Sequence, residues 1–223
     1  MTAATELRLT LPDGSTTSAM LLAPAAPRAA YVFAHGAGAG MRHAFMGDLS
    51  AALAERGVAT LRYQFPFMER GGHRTDPPAV AHPVVRAAAR LAHERMAGVP
   101  LFAGGKSFGG RMTSQAQASE PLEGVRGLAF VGFPLHPSGK PGTERAVHLE
   151  DVQVPMLFLQ GTRDELAGLA LIRQVVEPLA PRATLHLVED GDHSFHVRAS
   201  SGRNDAQVMQ ELAQAMGDWF GEH

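Results

Sequence analysis

The chain has 223 residues, 45% hydrophobic and 19% charged, a composition suited to one globular α/β core and unlike that of a disordered or fibrous protein. Its 20 basic side chains stand against 22 acidic ones, which leaves no positive field for nucleic acid or an anionic membrane, so the expected partner is a small molecule. With no cysteine, no signal-peptide pattern and no apolar stretch near the length of a membrane span, the expectation is a cytoplasmic protein of one domain, residues 1–223, without disulfides or a thiolate site.

In chain order, "ELRLTLPDGSTTSAMLLAP" alternates apolar and polar residues on either side of Pro12-Asp13-Gly14 and reads as a β-hairpin. The short apolar run "AAYVFA" reads as a buried strand that leads into the glycine-rich loop "HGAGAG". From Arg42 to Arg56 the residues Phe45, Met46, Leu49 and Leu53 recur at helical spacing, and Gly57 stops the helix before the strand "VATLRY".

"QFPFMERGGHRTDPP" is expected to be a loop, followed by a helix over "AVAHPVVRAAARLAHERMA" with Pro83 near its start and Gly98 past its end. Then come the strand "PLFAG", a glycine-rich turn, a helix to about Ala118, the strand "VRGLAFVGF", an irregular stretch to Gln153 and the strand "VPMLFLQG". A helix from Leu166 to Leu179, the strand "ATLHLV", the loop "EDGDHSFH" and a helix from Asn204 to Phe220 complete the order. A hairpin followed by alternating strands and helices predicts an α/β fold with a mostly parallel eight-stranded sheet covered on both faces. Ligands of such sheets bind beyond the carboxyl ends of the strands.

The turn "FAGGKSFGG", residues 102–110, contains parts of two motifs. A P-loop ending in Gly105-Lys106-Ser107 needs glycine at position 100, where the chain has Pro100. A nucleophile turn of the form G-x-S-x-G needs a strand before it, a helix after it and glycines around the serine, and Gly105, Ser107 and Gly109 meet all three conditions. A serine hydroxyl attacks only when a base removes its proton, so a histidine and an orienting carboxylate should follow in the order serine, acid, histidine. Asp164 in "GTRDE" and His193 in "EDGDHSF" each follow a strand, and Asp190 and Asp192 are less able to face His193 because they share its tight loop. His35 and His136 are read as loop braces, and Lys106 as packing or pointing aside. Arg111 is read as solvated or salt-bridged. The segment "HERMA" starts like a zinc-binding H-E-x-x-H but puts Ala97 at the second ligand position, so no metal is expected.

The motifs "FAHGAGAGM", "GGKSFGGRM", "GFPLHPSGKP", "FLQGTRDEL" and "DGDHSFH" together make the chain resemble the α/β-hydrolases of dienelactone-hydrolase-like type, in particular bacterial relatives of the testis-expressed hydrolase-like proteins. The resemblance covers nearly the whole chain. It implies the α/β-hydrolase fold with a minimal cap, a Ser107–Asp164–His193 site, no cofactor, and an oxyanion hole made by the backbone N–H groups of Phe108 and Ala37.

The expected activity is hydrolysis of small or short-acyl esters, thioesters or lactones through an acyl-enzyme. An open, shallow site is expected, walled by "FPFMERGGHRTDPP" and by residues 133–153. The alternative reading is a non-catalytic binding or scaffold protein on the same fold, and a peptidase is a third.

Overall fold

The computed structural model describes residues 3–223. The hairpin strands β1 (Thr5–Thr10) and β2 (Thr16–Leu22) pair antiparallel, and β2 pairs antiparallel with β4 (Val58–Tyr63). All further pairings are parallel, through β3 (Ala29–Ala34), β5 (Leu101–Lys106), β6 (Val125–Val131), β7 (Met156–Gly161) and β8 (Ala183–Val188). The spatial order β1-β2-β4-β3-β5-β6-β7-β8 is that of an α/β-hydrolase sheet of eight strands.

Every residue of β3 is buried, because successive side chains enter cores on opposite faces. Ala30, Val32 and Ala34 pack toward α3 (Pro78–Arg95), α4 (Phe108–Ser119) and α5 (Leu169–Val176). Ala29, Tyr31 and Phe33 pack toward α1 (Ala44–Ala54) and α6 (Asp205–Glu222). A capping box starts α6: Gln207 N–H donates to the Asn204 side chain at 3.0 Å, and Asn204 N–H donates back to Gln207 at 2.9 Å.

The order of the strands positions the site. The chain passes from β3 to β4 on one side, then crosses over β3 to β5 on the other, so the loops leaving β3 and β5 diverge from adjacent strands. Ala34 and Gly105 are partners at the carboxyl end of that pair, which sets "HGAGAG" beside Ser107.

Three local expectations change. The segment after β4 is not wholly a loop, since Pro66–Glu69 forms a short helix, α2, with proline favouring its first turn. Residues Glu144–Asp151 in the irregular stretch wind into a 3-10 helix. Helix α5 begins at Leu169 and not at Leu166, because the Asp164 side chain and the Gly168 cap hold the intervening residues in a turn.

Candidate active site

Strand β5 ends at Lys106 and helix α4 begins at Phe108, so Ser107 alone makes the turn. Its backbone has φ 50° and ψ −113°, a conformation unfavourable for a side chain by on the order of 1–3 kcal/mol and found mostly where geometry serves function. The turn is possible because α4 lies almost against β3. A Cβ at Gly109 would sit 2.5 Å from the carbonyl oxygen of His35 and 2.6 Å from the Cβ of Ala34.

Ser107 Oγ lies 2.9 Å from Nε2 of His193, and Nδ1 of His193 lies 2.7 Å from Oδ2 of Asp164. The carboxylate can only accept, so Nδ1 carries the proton and Nε2 is left to accept from the serine hydroxyl. Asp164 is fully buried and the His193 ring is one-quarter exposed. The fold thus brings together the three side chains that the sequence assigns to one site.

Each carboxylate oxygen of Asp164 has its own partners. Oδ1 accepts from Leu166 N–H at 2.8 Å, which is the turn-capping role open to any aspartate here. Oδ2 faces His193 and also accepts from the side-chain amide of buried Gln160. That amide cannot flip without loss, since its oxygen accepts Phe133 N–H at 2.9 Å. Sequence reading missed Gln160, and an amide at the end of a buried strand was the available signal.

The other two acids near His193 are engaged elsewhere. Asp190 bonds Arg198, whose hydrogen bonds hold the carboxylate below its ordinary range. Asp192 closes its own turn by accepting Ser194 N–H at 2.8 Å and His196 N–H at 2.9 Å.

His35 is a brace, as its sequence position suggests. Its Nε2 accepts Phe65 N–H at 3.0 Å and its Nδ1 sits 2.7 Å from Gly36 O. Burial pushes its pKa down to about 4, which keeps the ring neutral as this acceptor role requires. The same loop is held further along, where Met41 N–H donates to Gln64 and Arg62 donates to Met41 O. The His136 ring stays by its own loop, with Nδ1 beside Pro137 O, while its backbone N–H donates to Leu166 O at 3.1 Å in the loop after β7. Among the described residues, the backbone N–H groups of Ala37 and Phe108 have no protein acceptor.

A cavity of about 880 Å³ opens at Ser107. Its walls are the loop Gly36–Ala39, the start of α1 with Phe45 and Met46, Leu166, Phe195, and the α6 face with Val208, Met209 and Leu212. This corrects the expected walls. In "FPFMERGGHRTDPP" the rings of Phe65 and Phe67 are buried against His35 and Phe108, and Asp76 accepts Phe67 N–H at 2.9 Å. The 3-10 helix is drawn against α4, where Ser114 Oγ meets His148 Nε2 at 2.7 Å. Neither segment lines the cavity.

That second serine–histidine contact is a packing contact. Its serine also donates to Arg111 O, and no carboxylate hydrogen-bonds the ring of His148. Arg111 is not in the cavity wall, and among the described residues it makes no ion pair and its buried Nε has no hydrogen-bond partner; burial and nearby Arg145 lower its pKa. Of the two expectations for Lys106, packing and pointing aside, the side chain follows the first: it lines the cavity over the rings of Phe45 and Phe195 and donates to the backbone oxygen of His193.

A strained serine at a strand–helix turn, with histidine and aspartate on the loops after the last two strands, is the arrangement of an α/β-hydrolase. Residues 27–221 match the family model described as an alpha/beta hydrolase domain, and the chain belongs to that family. Among solved structures it is similar to dienelactone hydrolase from Anabaena variabilis, with 19% identity, a TM-score of 0.79 and coverage of 99% of this chain and 98% of that one. An α/β serine hydrolase without lid from Xanthomonas campestris has 22% identity and a TM-score of 0.76, with 98% and 96% of the two chains covered. A serine hydrolase homologue from Coxiella burnetii has 19% identity and the same TM-score of 0.76, with 96% and 98% covered. Among the described residues no helix is long and apolar enough to cross a membrane.

Proposed function

We propose that the protein is a serine hydrolase that cleaves carboxylic esters, including thioesters and lactones, by acyl transfer. The observation that carries this reading is the unbroken hydrogen-bonded chain from Ser107 through His193 to buried Asp164. Ser107 Oγ attacks the carbonyl carbon as its proton passes to Nε2 of His193, and the carbonyl oxygen takes the negative charge. Asp164 holds the imidazole in the required tautomer and stabilises the imidazolium. The N–H groups of Ala37 and Phe108, which have no protein acceptor among the described residues, are the donors assigned to the oxyanion, a contribution worth on the order of 3 kcal/mol per donor.

Collapse of the tetrahedral intermediate breaks the ester bond, and the leaving alkoxide or thiolate takes the proton from His193. Water then attacks the acyl-enzyme, with His193 as base, and releases the acid and free Ser107. No metal or cofactor is required by this route.

The cavity narrows the substrate. Its wall of Phe45, Met46, Leu166, Phe195, Val208 and Leu212 suits an apolar acyl or aryl group, and about 880 Å³ is at the upper end of the range that encloses small ligands. Hexanoyl or aromatic acyl esters should therefore be turned over faster than acetyl esters, a departure from the short-acyl expectation, and one that the cavity's lining favours.

The test is labelling with a fluorophosphonate probe, run beside a panel of p-nitrophenyl esters of increasing acyl length. Wild type should take the label and Ser107→Ala should not, with ester turnover lost in parallel. Wild type that takes no label and hydrolyses no ester would leave the scaffold reading in its place.

A further inference from the structure

Lys106 precedes Ser107 directly, and its side chain reaches across the mouth of the sheet to the loop after β8, where Nζ donates to the carbonyl oxygen of His193. Nζ also lies over two rings, 5.3 Å from the centroid of Phe195 and 5.9 Å from that of Phe45. These rings stack on each other at 6.1 Å. Among the described residues no carboxylate comes within ion-pairing distance of Nζ. The His193 carbonyl is therefore its one directional anchor, and the ring faces add a weaker, less directional attraction.

Gly132, whose backbone already favours glycine, leaves room beside the ammonium. It ends β6 with φ 70°, and a Cβ there would lie 3.0 Å from Nζ and 3.5 Å from Cε1 of His193. The absent side chain is the space that the ammonium and the imidazole share. Burial also pulls the Lys106 pKa down to about 8, so a cation is held where methionine would pack without that cost.

We propose that Lys106 is a positioning residue that straps the base to the nucleophile's own strand, fixing the height of the His193 imidazole over Ser107. The proposal rests on Ser107 and His193 acting as nucleophile and base. The turn closed by Asp192 lies wholly within residues 192–196, so it shapes the loop without tying it to β5. The 2.9 Å contact between His193 and Ser107 does tie them, but it is lost once Oγ is acylated. From then until water attacks, the strap from Lys106 is the hydrogen bond that still joins the two elements. Deacylation should depend on it more than acylation does.

The test compares Lys106→Met, which removes the donor, with Lys106→Gln, which keeps an N–H without the charge. Stopped-flow hydrolysis of a neutral p-nitrophenyl ester separates the two steps. Lys106→Met should lose about 10–100-fold in kcat, with a lower KM and a burst of p-nitrophenol that marks accumulated acyl-enzyme. Lys106→Gln should recover part of the rate. The low-field proton signal of His193 Nδ1 should persist in wild type and broaden in Lys106→Met.

A wild-type kcat in Lys106→Met would overturn the proposal. So would a loss confined to KM for carboxylate-bearing esters, which would make the ammonium a substrate contact. If Lys106→Met does not fold, Lys106→Ala, which also lacks the donor, decides: equal losses in acylation and deacylation would sink the strap. A wild type that takes no fluorophosphonate label would refute the hydrolase reading, and the proton signal would still test the strap.

Discussion

Gln160 donates its side-chain N–H to the same oxygen of Asp164 that faces His193, from four residues earlier at the end of β7. Because the Gln160 oxygen is committed to Phe133 N–H, the amide can present only its nitrogen to the carboxylate. Gln160→Glu keeps the size and the Phe133 bond but sets an acceptor against an acceptor. The expected outcome is a fall in kcat of about 10–100-fold with KM little changed. Two carboxylates in one place share a proton more readily as pH falls, so the ratio of variant to wild-type kcat should rise from pH 8 to pH 6. A ratio that is flat across this range would contradict the role given to Gln160.

Asp164→Asn tests the orientation of the base. Asparagine can still accept Leu166 N–H through its oxygen, which leaves its NH2 group toward His193 Nδ1, forces the proton onto Nε2 and sets a donor against the Gln160 amide. Turnover should fall about 10³–10⁴-fold, and the melting temperature should fall as well, by the cost of one buried unmade hydrogen bond, about 1–3 kcal/mol. Ester kinetics and a thermal melt on the same preparation check both halves.

Gly109→Ala tests the close approach beneath the elbow. Its methyl would meet His35 O and Ala34 Cβ, both fixed in β3 or just beyond it, so the expected loss is at least about 2 kcal/mol by denaturant titration. Gly38→Ala, in the next loop, meets nothing within 4 Å and should leave stability near that of wild type.

Acid should destabilise the fold through one buried imidazole, His35, and one half-buried one, His148. Burial holds both His35 and His148 down at about 4, below the ordinary 6.5, so between those values the unfolded chain binds more protons than the folded one. Stability is then present above pH 6.5 and lost as pH falls toward 4, with a ceiling of about 1.4 kcal/mol per pH unit for each group. His35→Gln can keep an acceptor for Phe65 N–H and does not titrate. Its melting temperature should depend less on pH than that of wild type over pH 4–6.5, and an unchanged slope would rule out His35 as a source.

Filling the cavity should change selectivity without stopping the chemistry. Met209 lines the wall on α6, remote in sequence from all three hydrogen-bonded residues. Met209→Trp should shift the preferred acyl group toward acetyl and propionyl and raise KM for hexanoyl esters, while the rate of fluorophosphonate labelling stays within a few-fold of wild type. A panel of ester chain lengths reads this directly.

The strands and the serine, histidine and aspartate were legible because their signals are local. Buried strands write continuous apolar runs, and the turns after them write glycine. Phe65 and Phe67 misled for the same reason, since aromatic residues in a glycine- and proline-rich stretch can cover a pocket or fill a core, and only the packing against His35 and Phe108 decides. Which face of the sheet each helix takes has no local signature either, so the walls formed by α1 and α6 were not foreseen. The contacts of Lys106 with His193 and of Gln160 with Phe133 span 87 and 27 positions, and no spacing rule reaches that far.

Helix α6 supplies much of the cavity lining and none of the hydrogen-bonded trio. On the hydrolase reading, taste and bite would sit largely on separate pieces of the polypeptide, joined where Asp205 holds His196 and Val197. Grafting residues 206–222 from a relative with another preference, with Asp205 kept, should retune which acid is released.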